Sequence, residues 1–97
     1  MPKGYWIGRV DVSDDAAYQK YIAANAAPFA TFGARFLVRG GAFDAREGTS
    51  RTRNVVIEFP SLEAAQTCYD SDEYQAAKAF REPAAICDLI IIGGYDG

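Results

Sequence analysis

A strand followed by a helix start is visible in the segment Arg53-Asn54-Val55-Val56-Ile57-Glu58-Phe59-Pro60-Ser61. Alternate side chains of its first seven residues point to one side, which carries Arg53, Val55, Ile57 and Phe59. Pro60 ends the strand because proline lacks a backbone donor, and Ser61 supplies an oxygen that can cap the next helix. The segment therefore predicts a strand that leads directly into a helix.

Similar patterns on both sides of this segment predict three more strands, Tyr5–Val12, Arg35–Arg39 and Leu89–Ile92. A helical stripe of apolar residues occupies 18–32, after the capping candidates Ser13-Asp14-Asp15. Pro28 lies inside this stripe and removes one backbone donor, so we expect a kink or a break there. A second helical pattern covers 62–80 and restarts at Ser71.

The order of these elements is strand, helix, strand, strand, helix, strand, and we expect residues 1–97 to form one domain. This is the split β-α-β arrangement, an α+β fold in which a four-stranded antiparallel sheet carries its helices on one face. The covered face should contain Trp6, Val10, Phe36, Val38, Val55, Ile57 and Phe59. The opposite face should mix aliphatic and charged residues, namely Ile7, Leu37, Val56, Arg9, Arg39 and Glu58. Because monomers seldom expose such a patch, we expect a homodimer with the sheets inside and the helices outside.

The composition argues against several classes of function. The net charge of −3 disfavours a nucleic-acid or anionic-membrane surface, and no apolar run approaches the roughly 20 residues of a membrane helix. A strand pattern begins soon after Lys3, which leaves no room for a signal peptide, so we expect a cytoplasmic protein. Histidine is absent, which excludes Ser-His and Cys-His catalysis, histidine haem ligation and most zinc sites. We therefore expect no metal and no cofactor, with Cys68 and Cys87 as free thiols.

Three charged residues on the uncovered sheet face are candidates for chemistry. Arg9, Arg39 and Glu58 could form a site in which the carboxylate acts as acid or base, or in which an arginine binds an acidic ligand. The alternative, which we favour, is an ion-pair network that sets the geometry of the dimer, because buried charges are usually paired. Asp11 could join either arrangement.

Four segments resemble those of a known family: Gly4-Tyr5-Trp6-Ile7, Arg35-Phe36-Leu37 with Arg39-Gly40-Gly41, Val55-Val56-Ile57-Glu58-Phe59-Pro60-Ser61, and Ser71-Asp72-Glu73-Tyr74-Gln75. On these segments the chain resembles the domain of unknown function 1330 family, which belongs to the dimeric α+β barrel superfamily. The resemblance implies a ferredoxin-like protomer whose sheet forms a barrel with that of a second copy. It implies no settled activity. More distant members of the superfamily include cofactor-free quinol monooxygenases, muconolactone isomerases and haem-dependent enzymes.

An aromatic set on the helices is the second candidate site. In the superfamily's oxygenases the pocket lies between helices and sheet, and there Tyr18, Tyr21, Tyr69 and Tyr74 could hold a small aromatic ligand, together with Phe29. A helical aromatic stripe is more often ordinary core. Tyrosine favours a pocket somewhat, since its hydroxyl needs a polar partner when buried.

Two functions remain open on these grounds. The first is the binding or conversion of a small organic acid or aromatic compound without a metal or haem, by oxidation or isomerisation if the protein is an enzyme. This interpretation rests on the likeness of fold. The second is a non-catalytic accessory or sensor dimer with a structural charged interface.

Overall fold

Seven elements form the protein, which is described here by a computed structural model of residues 2–96. They are β1 (Gly4–Val12), α1 (Asp15–Thr31), β2 (Arg35–Arg39), β3 (Arg53–Phe59), α2 (Leu62–Asp70), α3 (Asp72–Arg81) and β4 (Ala85–Gly93). The strands form one antiparallel sheet in the order β2-β3-β1-β4. The predicted ferredoxin-like α+β fold is confirmed, with its second helical segment divided into α2 and α3. None of these helices is long and apolar enough to cross a membrane.

Side-chain oxygens start all three helices. Asp14 accepts from the amide of Ala17 at the start of α1, and Ser61 accepts from the third residue of α2 at 3.0 Å. Ser71 ends α2 and caps α3, where its hydroxyl accepts from the amide of Tyr74. These bonds satisfy amides that have no partner within the helix. The predicted restart at Ser71 and the predicted cap at Ser61 are therefore confirmed.

Of the two effects predicted for Pro28, a break of the first helix is wrong, because α1 continues to Thr31. Pro28 lies in the last turn of α1, which contains only a few of the helix's backbone hydrogen bonds. The amide of Phe32 still donates to the carbonyl of Pro28 at 3.1 Å, which closes the end of the helix. A proline so close to the C-terminal end removes one donor without ending the helix there.

A β-bulge in β2 corrects the predicted placement of two side chains. Phe36 lies opposite Ile57 and Val38 lies opposite Val56, so Leu37 is the extra residue. The bulge moves the residues after it to the other face: Val38 lies on the uncovered face, and Arg39 on the helix side. The strand pattern predicted the reverse for both, because strict alternation takes no account of an inserted residue.

Trp6 occupies the centre of the core between the sheet and the helices. It is 1% exposed, and its indole Nε1 donates to the carbonyl of Ala65 in α2 at 2.8 Å. The centre of its ring lies 4.8–5.7 Å from the centres of four other aromatic rings, those of Phe29, Phe59, Tyr69 and Tyr74. Trp6 of β1 therefore packs against β3 and against all three helices.

The uncovered face of the sheet carries an aliphatic row across all four strands. The register aligns Val38, Val56, Ile7 and Ile90. Ile86 and Ile92 of β4 also point this way and are 63% and 45% exposed. This face has the apolar patch that the alternation predicted, although Val38 replaces Arg39 in it.

Candidate functional site

A cavity lies between the sheet, α1 and α3, above Gly8 of β1. Trp6, Gly8 and Val10 face the helices from alternate positions of β1, and the middle one has no side chain. A Cβ atom at Gly8 would meet only one atom within 4 Å, the Cδ1 of Leu89 at 3.8 Å. The cavity measures about 40 Å³, roughly three times the smallest space that holds one water molecule. The missing side chain at Gly8 therefore leaves space where the core is otherwise filled.

Two of the four predicted ligand-binding tyrosines line this cavity, namely Tyr18 and Tyr21 of α1. Tyr74 lies behind them, fully buried, and its hydroxyl is 2.8 Å from that of Tyr21. Burial raises the pKa of both phenols in this pair, which therefore stay protonated near neutral pH. Tyr69 does not line the cavity; its ring centre lies 5.3 Å from that of Tyr74, and the ammonium group of Lys78 donates to its hydroxyl at 3.4 Å. Tyr18 and Tyr21 therefore belong to the cavity wall, Tyr74 supports that wall from behind, and Tyr69 lies outside the lining.

Three arginines also line the cavity, and its wall contains no aspartate or glutamate. Arg81 of α3 is 7% exposed, and its guanidinium carbon lies 5.2 Å from the ring centre of Tyr21. Arg53 of β3 is half-buried at 5.7 Å from the ring centre of Tyr18. Arg39 is exposed, and its guanidinium carbon lies 4.0 Å from the ring centre of Phe36. The cavity is therefore positively charged and bordered by aromatic rings.

The predicted cluster of Arg9, Arg39 and Glu58 is not formed within the protomer. Arg39 lies on the helix side because of the bulge at Leu37. Glu58 lies opposite Tyr5, whose hydroxyl donates to it at 3.2 Å. Arg9 lies four residues further along β1, about 13 Å away at the usual rise of a strand. Arg9 and Glu58 of the same protomer are therefore too far apart to form an ion pair.

Asp11 takes part in a structural contact on the uncovered face. Arg51 donates to Asp11 and to Asp88, each at 2.8 Å, and the amide of Thr52 also donates to Asp11. The Thr52 amide, followed by Arg51, lowers the pKa of Asp11. An ionised carboxylate with these partners holds the segment before β3 against the sheet.

Neither cysteine has the environment of a nucleophile. Cys68 is fully buried, which raises its pKa to about 12, and burial also raises the pKa of Cys87. Both are free thiols. Within residues 2–96, no group of three or more cysteine or acidic side chains is placed to hold a metal ion.

We expect both native thiols to react slowly with a disulfide reagent such as Ellman's reagent at pH 8. At that pH the Cys68 side chain is almost entirely protonated, and the folded chain covers it. The absorbance of the released thiolate measures the rate. Addition of urea should release two thiols per chain rapidly. Fast release of one thiol without urea would show that Cys87 is more reactive than its burial implies.

Comparison with known proteins identifies the family. The model of the domain of unknown function (DUF1330) matches residues 3–95. The chain belongs to the DUF1330 family. No curated protein matches the sequence.

Several solved structures have the same fold as this DUF1330 protein. A protein of unknown function from Rhodopseudomonas palustris is 17% identical with a TM-score of 0.78, over 99% of this chain and 85% of its own. SnoaB, described as a cofactor-independent oxygenase from Streptomyces nogalater, is 11% identical with a TM-score of 0.65, over 100% and 97% of the two chains. A dimeric ferredoxin-like protein of unknown function from Thermobifida fusca is 15% identical with a TM-score of 0.63, over 95% and 91%. At these identities the likeness concerns the fold alone.

The sequence of this DUF1330 protein contained a signal for Arg53 and Arg81 that our interpretation did not use. The alternation of β3 places Arg53 on the covered side beside Val55, where an arginine is unusual. In α3 the buried residues are Tyr74, Ala77 and Arg81, at positions i, i+3 and i+7. Each of these two elements therefore carries an arginine on its apolar face, and both arginines line the cavity.

Proposed function

We propose that this DUF1330 protein is a dimer of the α+β barrel type that binds a small organic molecule in the cavity above Gly8. The observation that carries the proposal is the cavity itself, which Tyr18 and Tyr21 line together with the buried Arg81 and the half-buried Arg53. Pockets for small molecules combine an apolar wall with a few polar groups in this way. The proposed ligands are small organic acids and small aromatic compounds.

We extend the proposal to conversion of the ligand without a metal or haem. SnoaB, which has the same fold, is described as a cofactor-independent oxygenase. The chain has no histidine with which to ligate haem. Oxidation or isomerisation is the proposed class of reaction, and fold likeness alone supports it.

The proposed dimer joins two copies through their uncovered sheet faces. The aliphatic row of Val38, Val56, Ile7 and Ile90 crosses that face, and the neighbour from T. fusca is described as dimeric. A two-fold axis brings the same patch of both copies together and buries the exposed isoleucines of β4. In this arrangement Arg9 and Glu58 act as charged residues of the interface, while the cavity lies on the other side of the sheet.

A Gly8→Val variant is expected to lose ligand binding and keep its fold. The valine side chain would fill the cavity, with a change in unfolding free energy of about 1 kcal/mol or less. The measurement is the melting temperature in the presence of benzoate, salicylate or hydroquinone. A ligand at about 100 times its Kd adds roughly 2.7 kcal/mol of stability, which raises the Tm of a small domain by several degrees.

The matched control is Gly41→Val, because a Cβ atom at Gly41 has no neighbour within 4 Å. This variant should show the same shift in melting temperature as the wild type. Equal shifts in melting temperature for Gly8→Val and the wild type would show that the ligand binds outside the cavity. No shift of the wild type with any of the three compounds would overturn the proposal.

The second candidate function is a non-catalytic accessory or sensor dimer, which the small volume of the cavity favours. About 40 Å³ holds part of a ligand, whereas a complete pocket for a drug-sized molecule exceeds roughly 300 Å³. Oxygen uptake and product analysis with a compound that raises the melting temperature would separate the two functions. Binding without turnover supports the sensor. In that case a Glu58→Gln variant should weaken the dimer and leave ligand binding unchanged.

A further inference from the structure

We infer that the cavity above Gly8 selects carboxylates, with the guanidinium groups of Arg53 and Arg81 binding the negative charge of a small organic acid. This inference rests on the proposed function and narrows its ligand from organic molecules in general to anions. It assigns the binding of charge to two arginines on the covered side of the sheet.

The charge balance of the cavity is the first argument. Three arginines line the wall, none of the lining residues is acidic, and the ion pairs found in residues 2–96 involve Arg46 and Arg51 instead. A cation removed from water without a counter-ion is unfavourable for the folded protein. An anion in the cavity would neutralise this charge beside Arg81, which is 7% exposed.

Unused hydrogen-bond donors are the second argument. The Nε atoms of Arg53 and Arg81 are buried, and neither has an acceptor among the described residues. Buried donors are nearly always paired, so each unpaired one calls for an acceptor that the chain does not supply. A carboxylate matches the planar fork of a guanidinium group and can accept two parallel bonds from it.

Gly40 helps to position the guanidinium group of Arg53. A Cβ atom at Gly40 would lie 2.5 Å from Nη1 of Arg53, and Gly40 has a φ of +71°. The guanidinium group of Arg53 therefore packs directly against a backbone that requires glycine. This contact restricts the arginine before any ligand arrives, which reduces the entropy lost on binding.

The size of the cavity limits the ligand further. A volume of about 40 Å³ holds a carboxylate group and little more. Arg39 is the exposed arginine of the wall, so we place the remainder of the acid on its side of the cavity. A short aliphatic or a single-ring acid fits this description, and a bulky polycyclic compound does not.

The test compares acids with amides of nearly the same shape. Propionate and benzoate, together with propionamide and benzamide, are titrated into the protein while amide chemical shifts are followed by NMR. We expect at least one acid to saturate the site at millimolar concentration and to bind at least tenfold more tightly than its amide. Inorganic phosphate is a separate arm of the same titration and should bind at least tenfold more weakly than that acid.

Two variants test the assignment to particular side chains. Arg81→Met and Arg53→Met should each weaken the binding of the acid by tenfold or more, whereas Arg46→Met should leave it unchanged, because Arg46 lies in an exposed loop. Without ligand, Arg81→Met should melt at or above the temperature of the wild type, since it removes a buried charge that has no partner. If Arg81→Met does not fold, Arg53→Met and Arg81→Lys provide the same comparison.

Each result has a distinct meaning. Equal binding of acid and amide, equal binding of acid and phosphate, or unchanged affinity in both methionine variants overturns the carboxylate inference. In those cases the proposed function stands as long as Gly8→Val still abolishes binding. If no acid binds, the inference is wrong, and if no amide or quinol binds either, the proposed function is wrong as well.

Discussion

A Trp6→Ala variant is expected to lose about 3–5 kcal/mol of unfolding free energy, which is a large part of the 5–15 kcal/mol typical of a small domain. The substitution removes a fully buried indole ring that contacts aromatic residues of β3 and all three helices. It also removes the hydrogen bond from the indole to the carbonyl of Ala65. Urea denaturation followed by circular dichroism at one fixed protein concentration measures the change.

The control for this experiment is Tyr95→Ala. Tyr95 is also aromatic, but it is 97% exposed, so its replacement should change the unfolding free energy by less than about 0.5 kcal/mol. A loss below about 1.5 kcal/mol at Trp6 would contradict the central position that the structure gives this residue. Trp6→Phe should fall between these values, because it keeps a ring and loses the hydrogen bond.

An Ile90→Asp variant is expected to sediment as a monomer at concentrations where the wild type is dimeric. Ile90 is 54% exposed in the protomer, so the folded monomer tolerates the change, but the dimer would bury the new carboxylate in an aliphatic row. Two-fold symmetry introduces the charge twice. We expect dimerisation to weaken by at least about 3 kcal/mol, which is more than a hundredfold in Kd.

Sedimentation velocity at several micromolar concentrations measures this effect, with circular dichroism as the check on folding. Gln19→Asp is the matched control, because it adds the same charge on the exposed side of α1. That variant should remain dimeric. If the Ile90→Asp variant remains dimeric, the uncovered sheet face is not the interface. If the wild type is monomeric, the proposed assembly is wrong.

Local patterns predicted most of the elements correctly because each depends on neighbouring residues. The alternation of β3 predicted its bounds, and the oxygen of Ser61 predicted the start of α2. The exception in α1 was the effect of Pro28. Its consequence depends on how near the end of the helix it lies, and α1 ends at Thr31, three residues after Pro28.

The candidate site was predicted only in part. Tyr18 and Tyr21 were placed on the covering helix correctly, but Arg39 was assigned to the wrong face of the sheet. One inserted residue at Leu37 reverses the direction of every side chain that follows it in the strand. Alternation cannot reveal such a residue, because the bulge is defined by what β3 places opposite it.

The sequence by itself determined the order of the elements and the presence of an apolar face without a cover, since these follow from local periodicity, and that order implied the antiparallel sheet. Only the tertiary structure decided that the space above Gly8 stays open and that Arg53 and Arg81 line the same cavity. These two residues lie on β3 and α3, which are distant in the chain. A cavity and its charge are properties of residues distant in the chain, and no short-range pattern encodes them.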